Sequence, residues 1–223
     1  MANILNLETA TTNCSVSISK NGELVALKEH NTPNYSHAEQ LHVFIGEVAK
    51  MASIALTDLD AIAVSKGPGS YTGLRIGVSA AKGLCYSLGI PLISLPTLAS
   101  MVAQVQQNSA DFIIPVLDAR RMEVYSAVYD HLKNEIRNTR AEVVDEQTFS
   151  DFRTKGKVLI IGSGADKCIE SLSDKNVEFD TGIIPSAKDM CELSYSQFMA
   201  QEFEDVAYFE PYYLKDFILQ GKK

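Results

Sequence analysis

Hydrophobic and polar positions along the chain change period several times, and each change marks an element. Ile4–Glu8 reads as a short strand. Val16–Ser19 and Leu24–Glu29 flank Lys20-Asn21-Gly22-Glu23, an Asn-Gly hairpin signal. Ser36 followed by Glu39 has the form of a capping box, and behind it Leu41, Phe44, Ile45, Val48 and Ala52 recur on one helical face. Ala61–Ser65 is a buried-type strand, followed by a glycine loop and a helix that Gly89-Ile90-Pro91 stops near Leu88. Leu92–Leu95 is a further strand, and Pro96 opens a helix to about Val105.

The pattern then restarts. Strands are predicted over Phe112–Leu117, Val124–Tyr129 and Glu135–Val144, a helix near Glu146–Phe152, and a strand over Val158–Ile161. Gly162-Ser163-Gly164 reads as a loop, Ala165–Ser171 as a helix and Lys188–Gln201 as the last helix. Three strands, helix, strand, helix therefore occurs twice. This predicts an α/β chain of two similar lobes: residues 1–105 with 206–223 returning to them, and a smaller lobe over 106–205, joined near Gln106–Asp111. A cleft between two lobes is where a ligand is expected.

Composition narrows the functions. The formal net charge is −8, and the basic clusters are only pairs, Arg120-Arg121 and Lys222-Lys223. Nucleic-acid binding by the chain alone is disfavoured, because no basic patch replaces the counterions of a phosphate backbone. The four cysteines lie far apart, with no Cys-x-x-Cys pair, as buried thiols of a reducing compartment do. No signal-peptide pattern opens the chain, and no apolar run reaches the length of a membrane helix. A cytoplasmic location and no membrane contact are the expectation.

The richest stretch is Ser65-Lys-Gly-Pro-Gly-Ser-Tyr-Thr-Gly-Leu-Arg-Ile-Gly77. Gly67 and Gly69 permit a tight turn, and Ser70 and Thr72 sit at a helix N-terminus, whose free amides favour an anion. The same spacing also suits a plain turn into a close-packed helix. Gly69-Ser-Tyr-Thr-Gly73 is not the G-x-S-x-G of a hydrolase, since the serine falls one place early. Glu202, Glu204 and Asp205 read as a solvated acidic face. His37 and His42 are five apart, about 140° around a helix, so they cannot share a metal, and exposed or capping roles are expected for both. His30 and His131 stand singly.

The glycine loop, the opening Ile4-Leu-Asn-Leu-Glu-Thr-Ala-Thr11, Asp118-Ala-Arg-Arg-Met-Glu-Val-Tyr125 and the late Pro211-Tyr-Tyr-Leu-Lys215 together resemble the bacterial TsaB (YeaZ) family of tRNA threonylcarbamoyladenosine biosynthesis proteins, nearly end to end. The resemblance implies two RNase H-like lobes of the actin-like ATPase (sugar kinase and actin) superfamily, with a shortened second lobe. It implies a non-catalytic scaffold and activator subunit. Such a subunit pairs with a catalytic threonylcarbamoyltransferase, TsaD, helps recruit an ATPase, TsaE, forms a homodimer when alone, and meets tRNA only through the complex. ATP and metal then belong to the partner subunits, and no cofactor is held tightly here.

The resemblance also explains why this chain should not catalyse. TsaD carries two metal-binding histidines four apart; the matching positions here are Thr97 and Met101, which do not suit that metal. Active relatives open with an acidic residue and a glycine in the first phosphate loop. Here Glu8 takes the acidic place, Ala10 replaces the glycine, and Thr11 follows. Gly67, Gly69 and Ser70 form the next loop. The second-lobe turn holds Asp118, Arg120 and Arg121, which could fill the nucleotide space, pair with one another or bind an anion. Gly162 and Gly164 match adenosine-binding glycines in position, and could survive only as a strand-to-helix turn.

On the wheel of the helix after the glycine loop, Leu74, Gly77, Val78, Ala81, Cys85 and Leu88 form the core face, and Tyr71, Arg75, Lys82 and Tyr86 the solvent face. Gly73, Ile76, Ala80, Gly83 and Ser87 form a third stripe of mostly small residues. Either the chain's own first helix covers this stripe, or the stripe, with Val43 on the outer side of that helix, packs on the partner. An independent small-molecule kinase or ATPase of the same fold is the first alternative, against which the lost aspartate and metal ligands count, and a free-standing homodimer with a regulatory role is the second.

Overall fold

The computed structural model describes residues 1–33, 36–106, 109–172 and 174–214. Lys215 and the Lys222-Lys223 pair lie outside the described residues, as does the second half of the C-terminal return, 215–223. The first sheet contains β1 (Asn3–Glu8), β2 (Asn13–Lys20), β3 (Glu23–Asn31), β4 (Ala61–Gly67) and β5 (Leu92–Pro96), in the order β3-β2-β1-β4-β5. Asn21 and Gly22 both take positive φ, 53° and 86°, as a two-residue hairpin turn requires. Helices α1 (His37–Ala52), α2 (Tyr71–Leu88) and α3 (Thr97–Gln104) connect the strands and lead out of the sheet.

The second sheet contains β6 (Phe112–Asp118), β7 (Glu123–Asp130), β8 (Glu135–Val143), β9 (Val158–Ile161) and β10 (Val177–Asp180), in the order β10-β9-β6-β7-β8. Read from the hairpin edge, β8-β7-β6-β9-β10 repeats the first sheet strand for strand. Two antiparallel pairings are followed by parallel ones in each. The duplication expected from element order is present. Helices α4 (Ser150–Arg153) and α5 (Ala165–Leu172) precede and follow β9, and α6 (Cys191–Ala200) closes the helical part.

Each sheet is buried on both faces. In the first, Leu5, Leu7, Val16, Ile18, Ile62 and Val64 meet α1 and α2. The alternate residues Ile4, Ala61, Ala63, Ile93 and Leu95 face Ala187, Met190, Leu193 and Phe198, which belong to α6 and the short turn before it. In the second, Ile114, Val116 and Ile160 face α5, whereas Ile113, Leu117 and Ile161 face Leu98, Met101 and Val102 of α3. The lobes thus exchange a helix. Residues 97–104, expected with the first lobe, pack on the second sheet, and 187–200, expected with the second, pack on the first.

Two further readings need correction. Ser36 occupies the N-cap of α1 but its side chain makes no capping bond, so the box motif is not formed. The acidic run is not simply a solvated face. Glu204 is half-buried, pairs with Leu92 through its backbone, and accepts a 2.5 Å bond from Ser94 Oγ. Asp205 accepts from the amides of Ala207 and Tyr208. These anchors start a strap that returns along α2, where Lys82 Nζ reaches the carbonyl oxygens of Ala207 and Phe209 at 3.2 and 2.8 Å.

Candidate functional site

β1 ends at the first candidate phosphate loop. Glu8 is fully buried there; its Oε1 accepts from Ala10 N at 2.6 Å and Ser65 Oγ at 2.9 Å, while its Oε2 has no partner among the described residues. Burial pushes its carboxyl up to about 7, with the hydrogen bonds opposing. Thr11 uses its carbonyl oxygen to hold His37, whose Nε2 lies 2.7 Å away. His37 is only 2% exposed, against the expectation of an exposed or capping role, and burial holds it below the usual imidazole value. His42 is exposed.

The glycine loop after β4 closes onto this turn. The amide of Ser70, first at the α2 N-terminus, donates to Ala10 O at 2.6 Å. Ser70 Oγ caps Gly73 N at 3.2 Å. Gly69 lies so close to Ala10 that a Cβ would collide with it. Gly67, at φ 108°, lies against the backbone of Tyr212, whose amide donates to Lys66 O at 2.7 Å. The amides of Ala10, Ser70 and Gly73 are therefore engaged within the chain itself.

In the second lobe, Asp118 pairs with Lys167 at 2.6 Å and accepts from Arg120 N, so Asp118 and the arginine side chains do not neutralise one another. Arg120 and Arg121 are exposed at φ 69° and 50°, and neither forms an ion pair among the described residues. Gly162 N donates to Asp180 O, and a Cβ on Gly162 would strike Met101. Gly164 N donates to Val116 O at 3.1 Å. Both glycines serve a strand-to-helix turn. Thr97 and Met101 are both 0% exposed, Met101 packed in the core, and a hydroxyl with a thioether does not match the nitrogen, thiolate or carboxylate donors such a metal site uses. Among the described residues no group of three His, Cys, Asp or Glu could hold a metal.

The stripe on α2 divides in two, and its first glycine lies with Gly77 of the core face. Gly73 and Gly77 are buried against Thr9: Thr9 Oγ1 donates to Gly73 O at 2.8 Å, and a Cβ on either glycine would meet Thr9. Gly73, expected in a partner surface, belongs instead to the interior. The reason escaped the helical wheel because the β1–β2 turn crosses α2 there. Gly83 differs: it is exposed, and a Cβ would meet nothing within 4 Å among the described residues. Ile76, Ala80, Gly83 and Leu84, with Ala38 and His42 of α1 and Tyr71 and Arg75 of α2, line an open groove of about 730 Å³. Ala80 is its buried floor, and Val43 stands 55% exposed on α1. The chain's own α1 flanks this groove without filling it.

The family model of TsaD, tRNA N6-adenosine threonylcarbamoyltransferase, matches residues 32–209. The tRNA threonylcarbamoyladenosine biosynthesis protein TsaB of Escherichia coli K12 is 30% identical, covering 96% of this chain and 94% of its own. The structure of YeaZ from Pseudomonas aeruginosa superposes with a TM-score of 0.83 at 24% identity, covering 96% of this chain and 100% of that one. Component A of (R)-2-hydroxyglutaryl-CoA dehydratase from Acidaminococcus fermentans superposes at 0.52 with 11% identity, over 88% of this chain and 99% of that one, a likeness of fold. The fold shared with these structures is α/β, two mixed five-stranded sheets with helices. No described helix is long and apolar enough to cross a membrane.

Proposed function

We propose that this chain, which belongs to the TsaB (YeaZ) family, takes part in tRNA threonylcarbamoyladenosine biosynthesis as a non-catalytic subunit. Its partner in this reading is a catalytic chain of the TsaD type, seated on the groove between α1 and α2. A TsaE-type ATPase joins the pair, tRNA is met only through the complex, and the free chain self-associates. The observation that carries the non-catalytic role is the closure of Ser70 N onto Ala10 O at 2.6 Å, which spends the first helical amide inside the chain. The supporting observation for partnership is Gly83, a mid-helix glycine with no neighbour among the described residues to explain it. Small residues let a second helix approach closely.

The test is reconstitution. Transfer of a threonylcarbamoyl group to tRNA is measured with this chain alone, with the TsaD-type chain alone, and with both plus the TsaE-type ATPase. Turnover is expected only in mixtures that contain the TsaD-type chain, and is expected to rise when this chain is added. Transfer or ATP hydrolysis by this chain alone would overturn the proposal.

A further inference from the structure

At one end of the α1–α2 groove a cation is held in place with no ion-pair partner among the described residues. The guanidinium of Arg75 lies 4.1 Å from the ring centre of Tyr71, and its Nε donates to Tyr213 Oη at 3.2 Å. The Tyr71 and Tyr213 rings are 5.0 Å apart, and Arg75 also lies 5.9 Å from the second ring. Tyr213 is itself fixed, because the neighbouring Tyr212 amide is bonded to Lys66 O at 2.7 Å. Arg75 makes no ion pair among the described residues; Glu210 acts on it only through space.

An exposed arginine ordinarily samples many rotamers, and ordering it for an ion pair offsets most of the gain. Here stacking and the tyrosine hydroxyl have already fixed the plane, and the Nε edge is used. The two terminal nitrogens remain, in the fork geometry that matches a carboxylate. They stand on the lip of a groove whose floor is Ile76, Ala80 and Leu84. An apolar groove with one preoriented cation at its end fits an amphipathic helix with a small apolar face and one acidic residue.

We infer that the partner helix seated in the α1–α2 groove carries an aspartate or glutamate that docks on Arg75. This rests on the groove reading above and names the chemistry by which the groove selects its occupant. The committed occupant is the TsaD-type catalytic chain. Arg75 and Gly83 are eight residues apart on α2, about 12 Å along the axis. A partner helix running near-parallel or antiparallel then places its carboxylate about two turns from the small residue that packs on Gly83. The chain's own charge is −8, so overall attraction does not explain capture of an acidic helix; the local cation does.

The experiment measures the dissociation constant of the TsaD-type chain for the parent, Arg75→Glu, Arg75→Lys, Tyr213→Phe and Gly83→Leu, each at about 50 and 300 mM salt. Charge reversal is expected to weaken binding at least tenfold. Lysine keeps the charge but loses the stack and the fork, so intermediate weakening is expected; Tyr213→Phe should cost less. The loss from charge reversal should shrink at high salt. Replacing the acidic residue of the partner helix by arginine should restore binding to Arg75→Glu. Melting temperatures close to the parent are expected for the Arg75 variants, since Arg75 is exposed. If Gly83→Leu abolishes binding while Arg75→Glu leaves it unchanged, the groove reading stands and the carboxylate inference falls. If neither variant changes binding, the groove reading falls as well. If only self-association responds to Arg75→Glu, the occupant is a second copy and the inference as stated is overturned.

Discussion

The backbone amide of Ser70 donates to the carbonyl oxygen of Ala10 at 2.6 Å, joining the glycine loop to the turn after β1. Two loops that would have to part around a phosphate are thereby tied to each other. Ala10 N is engaged too, at 2.6 Å from Glu8 Oε1. ATP with magnesium is expected to bind the isolated chain no more tightly than about millimolar, roughly 4 kcal/mol. Calorimetric titration checks this, and a micromolar constant would revive the kinase alternative. Ala10→Gly alone is not expected to restore affinity, because it leaves the Ser70 amide committed.

The two kinds of glycine on α2 should respond oppositely to alanine. Gly73→Ala drives a methyl group into the Thr9 carbonyl oxygen, a backbone atom that cannot swing away. A loss of about 2 kcal/mol or more is expected. Gly83→Ala adds a methyl group to open space in a helix interior, so a gain of about 0.5–1 kcal/mol is expected. Urea unfolding of the free chain measures both. A destabilised Gly83→Ala would mean that its surroundings are not open.

Much of this fold is legible in the sequence because local chemistry and tertiary role agree. Asn21-Gly22 sets a hairpin, Pro96 precedes α3, and Gly162 marks a turn, whatever surrounds them. The unreadable part depends on which distant segments cross. Nothing in the spacing around Gly73 tells that Thr9 lies over it, and the same is true of His37 held by Thr11 O. The exchange of α3 and α6 between the sheets has the same origin. A helix wheel gives the face and never the neighbour. β10 was missed because Val177-Glu-Phe-Asp180 is a short edge strand with charges, which offers almost no alternation to read. At the site, the loops were legible as loops. That the amides of Ala10 and Ser70 are spent within the chain required the structure.

One anchor of the strap over α2 is a side-chain bond that the acidic composition disguises. Ser94 is 3% exposed, and its hydroxyl reaches Glu204 Oε1 at 2.5 Å. Glu204→Ala leaves that hydroxyl buried without its acceptor, and a loss of about 1–3 kcal/mol is expected. Ser94→Ala should cost less, since Glu204 is only half-buried and can turn to water. A double-mutant cycle on the unfolding free energy should give a coupling of about 1 kcal/mol. Additivity of the two changes would show that the contact contributes nothing.

Glu8 should make stability fall as pH rises. Its carboxyl lies at about 7 in the folded chain against 4.5 as the ordinary value, because it is wholly buried. Below 4.5 both folded and unfolded forms are protonated and the group has no effect. Between 4.5 and 7 the unfolded form releases its proton while the folded form retains it, so the folded form loses ground with each step upward. Above about 7 the penalty is complete and constant, roughly 3 kcal/mol from the shift alone. Glu8→Gln keeps an acceptor for Ala10 N and Ser65 Oγ and cannot ionise. The variant should therefore be little different from the parent at pH 4.5 and clearly more stable at pH 8. Asp189, raised to about 6 by burial, titrates in the same range, and burial also lowers His37 from its ordinary value. The quantity to follow is thus the difference between parent and variant, in which those groups cancel. Urea midpoints at pH 5, 6, 7 and 8 measure it. A difference that stays flat across that series would mean that Glu8 is ionised throughout, and that its environment supplies a counter-charge the buried turn does not contain.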